Sequence, residues 1–221
     1  MRATVRDVMT TGVVTVRGDT PFKELAAVLA SSRVSGLPVI DQAGKVIGVV
    51  SETDLVIKEA DQAGHPGSFA GLRRGRDREK AAGVTAAQLM TSPPVTIGPG
   101  EPVQHAAFLM YDRAVSRLPV VDQAGHLVGI ISKVDVLRIF SRPDEEIRRD
   151  VTGRLIGMGF PADPEHLRVS VHDGIVTLTG RPETGRAGPD IIEAVRHIDG
   201  VVAVRDQPGP ADDRPHTATS S

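Results

Sequence analysis

A duplication is the strongest constraint on how this chain can fold. Val8-Met9-Thr10 returns as Leu89-Met90-Thr91, and Leu37-Pro38-Val39 returns as Leu118-Pro119-Val120. Asp41-Gln42-Ala43-Gly44 returns unchanged as Asp122-Gln123-Ala124-Gly125. Gly48-Val49-Val50-Ser51 returns as Gly129-Ile130-Ile131-Ser132, and Asp54 as Asp135. Every pair keeps one interval (90 − 9 = 81), with no gap from Met9 to Asp54. A register held through turn, core and polar positions marks two copies of one structural unit. A unit of about 50 residues is small for an independent core. The two copies are therefore expected to pack on each other as one module.

Each copy has the same local grammar. Val13-Val14-Thr15-Val16 is short and β-branched, which predicts a strand. Thr20 before Pro21 reads as an N-cap with proline at the first helical position. Phe22, Leu25, Ala26, Val28 and Leu29 then fall on one helical face. Leu37 to Ile40 reads as a second strand, Asp41 to Gly44 as a turn, and Lys45 to Val50 as a third strand closing a hairpin. Ser51-Glu52-Thr53-Asp54 opens a second helix. The predicted unit is β-α-β-β-α.

This pattern resembles the CBS (cystathionine-β-synthase) domain, and the pair resembles a CBS tandem module. The resemblance is carried by the Met-Thr lead-in, the strand-Pro-helix step, the Leu-Pro-Val strand and the Gly-h-h-Ser-x-x-Asp exit, where h is apolar. It covers about residues 2–60 and 84–140, which places repeat 1 at 1–60, a linker at 61–83 and repeat 2 at 84–140. The family binds adenosyl ligands. The resemblance thus implies AMP, ADP or ATP, with S-adenosylmethionine or a cyclic dinucleotide behind them. It carries over Ser51, Asp54, Ser132 and Asp135, with Thr15 and Thr96 on the first strand of each repeat. It also implies a homodimer through the CBS module.

The chemistry of those positions fits. A serine where a helix begins stands beside unpaired backbone N–H groups and a partial positive charge, both suited to phosphate. An aspartate one turn in can accept hydrogen bonds from adjacent ribose hydroxyls. Val14, Val39, Val95 and Val120 offer an apolar cleft for adenine. The repeats differ at one telling position: Arg117 follows Ser116 where the first repeat has Gly36, and an arginine there can hold a phosphate or simply face solvent. The same Ser-x-x-Asp is also close to a capping box, which needs no ligand. Nothing in the sequence has a catalytic arrangement. The seven histidines are scattered, no metal-ligand spacing occurs, and there are no cysteines. Walker, Gly-x-Gly-x-x-Gly and Gly-x-Ser-x-Gly motifs are missing. A regulatory ligand-binding protein without a catalytic cofactor or metal is expected, serving stress or energy-state signalling.

Residues 61–83 contain a loop and then Arg73, Arg74, Arg76, Arg78 and Lys80, diluted by Asp77 and Glu79. This reads as a solvated linker; a DNA-binding regulator working through it is the last-ranked alternative. A net charge of −2 and 3% aromatic residues both disfavour nucleic acid as the main partner. No run approaches the roughly 18 apolar residues of a membrane span, and the first residues do not read as a secretory signal. A cytoplasmic protein is expected.

Beyond Phe140 the pattern changes. Ile147, Val151, Leu155 and Ile156 lie on a helical face. Leu167 to Val171 alternates as a strand, Asp173-Gly174 signals a hairpin, and Ile175 to Gly180 is the partner strand. Ile191, Ile192, Ala194, Val195 and Ile198 make a second helix ended by Asp199-Gly200, and Val201 to Val204 a last strand. This α-β-β-α-β order over 144–207 resembles a BON domain through Val169-x-Val171, Asp173-Gly174-x-Val176-x-Leu178-x-Gly180 and Gly200-Val201-x-x-Val204. The resemblance implies a phospholipid-binding or protein-interaction domain. Residues 144–221 carry 14 acidic and 9 basic side chains, about −5, which anionic lipid repels. A protein partner is therefore favoured over a membrane. Residues 208–221 read as a disordered tail. The predicted fold class is α+β, two CBS repeats packed as one module plus a small BON domain. The competing function is a scaffold whose repeats only dimerise, without a ligand.

Overall fold

A computed structural model describes residues 3–62, 83–160, 167–180 and 189–207. The basic stretch at 73–80 and the tail at 208–221 lie outside the described residues. The chain forms two compact units. One is Thr4–Val136; the other runs from Leu137 onward and includes Ala3.

In the first unit the first repeat supplies α1 (Val5–Val8), β1 (Val16–Arg17), α2 (Phe22–Ser32), β2 (Gly36–Ile40), β3 (Val46–Ser51) and α3 (Glu52–Gln62). The second supplies α4 (Ala86–Leu89), α5 (Val103–Asp112), β4 (Arg117–Val121), β5 (Leu127–Ser132) and α6 (Lys133–Leu137). The hairpins share one register: Gly36 pairs with Ser51 and Leu37 with Val50, as Arg117 pairs with Ser132 and Leu118 with Ile131. Leu37, Val39, Val50, Leu118, Val120 and Ile131 are fully buried. Full burial of such side chains stabilises by about 1.5–3 kcal/mol each.

Two expectations are corrected here. The predicted strand Val13–Val16 shrinks to β1, which pairs in parallel with β2 through Val16 and Val39. In the second repeat only an isolated parallel bridge, Ile97 to Val120, remains. β propensity alone does not make a ladder; Val14 lies 40% exposed without a pleated neighbour to pack on. Thr20 is not the N-cap. Pro21 holds that position, and the buried Thr20 hydroxyl accepts from the Arg17 N–H at 3.0 Å, closing the turn between β1 and α2.

The repeats are interlaced. Thr10 forms an antiparallel bridge with Ile130 of the other repeat, and Thr91 one with Val49. Each lead-in therefore adds to the opposite hairpin, and its methionine lies over that hairpin's glycine. A Cβ built on Gly129 would stand 2.5 Å from the Met9 sulfur, and one on Gly48 would collide with the Met90 sulfur in the same way. The helices cross too: Ala86 and Leu89 of α4 sit in the core of the first repeat with Leu25, Leu29 and Leu55.

The second unit contains a 3₁₀ turn (Arg138–Ser141), α7 (Asp144–Gly157), β6 (Leu167–His172), β7 (Ile175–Gly180), α8 (Pro189–Arg196) and β8 (Ala203–Gln207). The sheet order is β6-β7-β8, with β6 antiparallel and β8 parallel to β7. Ile147, Val151 and Leu155 of α7 pack with Val176, Leu178, Ile191 and Val195. Ile156, expected on that face, is 51% exposed; Ile147, Val151 and Leu155, spaced by four, already complete the buried stripe. The last strand begins two residues later than predicted. Val201 and Val202 are held outside the ladder, where the Val201 N–H donates to Ile198 O at 3.1 Å and the Val202 N–H to Gly174 O at 2.9 Å. The hairpin at Asp173-Gly174 has both residues at positive φ, +51° and +71°, the conformation of a type I′ turn.

Candidate functional site

β3 ends on Ser51 and α3 begins at the next residue, so Ser51 stands where strand becomes helix. The Asp54 Oδ2 accepts from the Ser51 backbone N–H and from the Ser51 hydroxyl, both at 2.8 Å. The second repeat repeats this closely. Asp135 Oδ2 accepts from the Ser132 N–H at 2.9 Å and its hydroxyl at 2.6 Å, while the Asp135 N–H donates back to the Ser132 Oγ at 3.4 Å. Both aspartates are buried, at 7% and 6% exposure. The aspartate half of a capping box is formed in both copies and the serine half in the second, so the duplicated motif has a structural role in each copy. The supporting helices differ: α3 has 11 residues, whereas α6 has 5 before the 3₁₀ turn. The longer helix carries the larger aligned dipole at its start.

Thr15 and Thr96 are half-buried and immediately precede Val16 and Ile97, which pair with Val39 and Val120. Of the four valines, Val39 and Val120 are fully buried in the interior of the pair, while Val14 is exposed and Val95 half-buried. Of these four valines only Val14 and Val95 offer apolar surface near the first strands.

Arg117 is placed in a way its sequence position does not disclose. It leaves β4 and crosses to the first repeat, where its guanidinium donates to the Gly36 carbonyl at 3.0 Å and to the Ser35 hydroxyl. Burial lowers its pKa, and the charge of Glu52 works in the opposite direction. Gly36 is the register partner of Ser51. Arg117 thus belongs by chain to the Ser132 turn and by side chain to the Ser51 turn. Ser35 and Glu52 are site neighbours that sequence reading misses; the substitution of arginine for Gly36 at equivalent positions is the one signal that points to them.

The second unit brings together Asp144, His172 and Asp173, whose ligand atoms lie within 4.8 Å of one another. The metal-ligand spacing of the sequence gives no sign of this group, because Asp144 reaches it from another element. Asp144 already caps the hairpin: its two carboxylate oxygens accept from the Asp173 and Gly174 N–H groups, each at 2.8 Å.

This architecture, two interlaced hairpin repeats with matched Ser-x-x-Asp turns, defines a tandem domain pair. Residues 5–61 and 86–142 match the CBS domain, and residues 143–207 match the BON domain. The chain belongs to the CBS domain family and carries a BON domain after the pair. It is similar to the structure of CBSX2 in complex with AMP, at 31% identity and a TM-score of 0.50, over 61% of this chain and 93% of that one. It is also similar to the CBS domain pair of protein MJ0100 in complex with 5′-methylthioadenosine and S-adenosyl-L-methionine, at 25% identity and a TM-score of 0.51, over 64% and 98% of the two chains. Protein MK0525 of Methanopyrus kandleri is 28% identical over 116 residues, 52% of each chain. The L-aspartate semialdehyde sulfurtransferase of Methanocaldococcus jannaschii is 26% identical over 136 residues, 62% of this chain but 23% of the enzyme. The chain thus spans about half of the first of these curated relatives and about a quarter of the second. Among the described residues no helix is long and apolar enough to cross a membrane.

Proposed function

We propose that the CBS pair binds an adenine nucleotide of the AMP, ADP or ATP type and that the protein is a cytoplasmic regulatory sensor, not an enzyme, that signals stress or energy state. The observation that carries this reading is the duplicated Ser-x-x-Asp turn at a strand-to-helix junction, with a guanidinium beside one copy. Ser51, Asp54, Ser132, Asp135, Thr15, Thr96 and Arg117 are the proposed ligand contacts. Val14 and Val95 flank the adenine, with Val39 and Val120 behind them. The AMP complex of CBSX2 and the adenosyl complexes of MJ0100 support the ligand class.

The BON domain is proposed as the output, docking a protein rather than a membrane or nucleic acid. A homodimer through the pair is supported by apolar side chains left on its helices: Val56 of α3, Phe108 and Tyr111 of α5 and Val134 of α6 are 59–88% exposed. Those side chains are also what the competing reading needs, a dimerisation scaffold indifferent to nucleotides.

A ligand that binds only the folded chain stabilises it by about 2.7 kcal/mol at a hundredfold excess over its Kd. Thermal melts with AMP, ADP, ATP, S-adenosylmethionine and a cyclic dinucleotide are expected to show a rise of several degrees with the adenine nucleotides, abolished in the Asp54→Ala, Asp135→Ala double variant. An equal rise in that variant would remove the two Ser-x-x-Asp turns as the ligand contacts; no rise with any ligand in the native chain leaves the scaffold reading.

A further inference from the structure

The sheet of the BON domain packs one face on α7 and α8, with Val176 and Leu178 fully buried there. Alternate residues of each strand point the other way. Arg168 pairs with Thr179 and Thr179 with Gln207; Ser170 pairs with Thr177 and Thr177 with Arg205. These two rows run straight across the three strands. Their outer members are exposed, and the two threonines are half-buried between them. A third row, His172-Ile175-Ala203, lies at the hairpin end. None of the three rows holds a carboxylate. Asp206 alternates to the helix side, in register with Leu178.

This face inverts the charge of the domain that bears it. Residues 144–221 carry 14 acidic against 9 basic side chains. On the helix side Arg148 and Arg149 are paired with Glu145. Asp173 stands 3.6 Å from the His172 imidazole at the hairpin end. Arg168 and Arg205, by contrast, have no ion pair and no side-chain hydrogen bond among the described residues. The strands fix their spacing. Two strands apart and one pleat along, their Cα atoms lie about 12 Å from each other, with the Thr177 and Thr179 hydroxyls between. In an extended peptide, residues i and i+4 are about 13 Å apart. Two acidic side chains at that spacing can each meet a guanidinium, while the residue between them meets the hydroxyls. The width of the face also selects. Three strands span about 10 Å, room for an extended segment. A membrane would instead meet the acidic remainder of the domain, and bases would find no aromatic ring on this face to stack on.

We infer that the open face of the BON sheet docks an acidic, extended segment of a partner protein, with Arg168 and Arg205 holding its carboxylates. This rests on the reading of the BON domain as a protein-docking output, and it names the face and the chemistry of the partner. The test measures binding of the full chain to four probes. They are a short peptide alternating glutamate and serine, the same peptide with glutamine for glutamate, vesicles of equal parts phosphatidylcholine and phosphatidylserine, and oligothymidine. The glutamate peptide is expected to bind about tenfold or more tighter than the glutamine peptide, and to weaken as salt rises. Arg168→Gln and Arg205→Gln should each weaken it about three- to tenfold. Arg154→Gln, an equal change of charge at an exposed position on α7, should change it less than about twofold. Surface substitutions of this kind leave the fold in place, and the preference for glutamate over glutamine needs no variant at all. Equal weakening by Arg154→Gln would overturn the inference, because net charge and not the face would then bind. An undiminished affinity in the Arg168→Gln, Arg205→Gln double variant would overturn it too, since the peptide would then sit elsewhere, as on the basic stretch at 73–80. If no probe binds, the inference falls and the protein-docking reading stands. If vesicles or oligothymidine bind more tightly than the glutamate peptide through these arginines, both fall.

Discussion

Single glycines decide how closely the two repeats approach. Gly48 and Gly129 lie in the middle of β3 and β5, where a side chain would ordinarily favour the strand. Their value lies in the methionine that covers each. With the Met9 sulfur 2.5 Å from where a Gly129 Cβ would go, an added methyl forces the lead-in off the strand. Overpacking of this kind costs about 1–3 kcal/mol. Gly129→Ala is therefore expected to lower the unfolding free energy by that amount, read as a lower urea midpoint at unchanged slope, and Met9→Ala in the same chain to restore part of it. A neutral Gly129→Ala would show that the methionine simply moves aside. Both glycines are visible in the sequence as repeated positions, but a repeated glycine reads equally well as a turn or a bulge. The partner that explains it is 120 residues away along the chain (129 − 9 = 120).

At the scale of elements, the hairpins were the legible part and the first strands were not. Each hairpin is specified locally by an Asp-led turn between two apolar runs, so the expectation of β2 and β3 matches the structure at the end of β2 and differs by one residue at the other three boundaries. The Val13–Val16 strand depended on a neighbour the sequence does not display, and most of it has none. The strand-to-helix turn presents a different ambiguity, since one motif serves as cap and as candidate ligand contact. A double-mutant cycle separates the roles. Without ligand, Ser51→Ala and Asp54→Ala should each cost about 0.5–2 kcal/mol, with a coupling between them of at least about 0.5 kcal/mol, because the hydroxyl and carboxylate bond each other. Additive costs would mean that the two side chains stabilise the chain independently. Retained AMP binding in a capped but altered variant, such as Asp54→Asn, would assign the motif to capping alone.

For the whole molecule, the crossing of lead-ins makes the pair one cooperative object. α1 is held by the second repeat, where the Val5 N–H donates to Glu101 O at 2.8 Å and the Arg6 N–H to Pro99 O at 2.9 Å. α4 is held by the first, the Ala86 N–H donating to Thr20 O at 2.9 Å. Neither repeat keeps its own lead-in. The helices that do not take part in the crossing leave Tyr111 88% and Phe108 59% exposed on α5, and adjacent aromatic side chains of this kind are what an interface core uses. Sedimentation at micromolar concentration is expected to show a dimer for the native chain, with Tyr111→Asp and Phe108→Asp together shifting it toward monomer. A native monomer at that concentration would discard the dimer and with it the scaffold alternative.

What the sequence by itself determined was the duplication, the element types, most of the core and the identity of both domains. These follow from local rules: the period of apolar residues, the turn residues and a constant register. What only the tertiary structure decided was who touches whom across that register. The sequence shows that Arg117 replaces a glycine; the fold shows that it lies on that very glycine, beside the other repeat's serine turn. The reason is physical. An internal duplication folds with an approximate twofold axis, and positions near an axis face their own counterparts, which no reading along the chain can bring together.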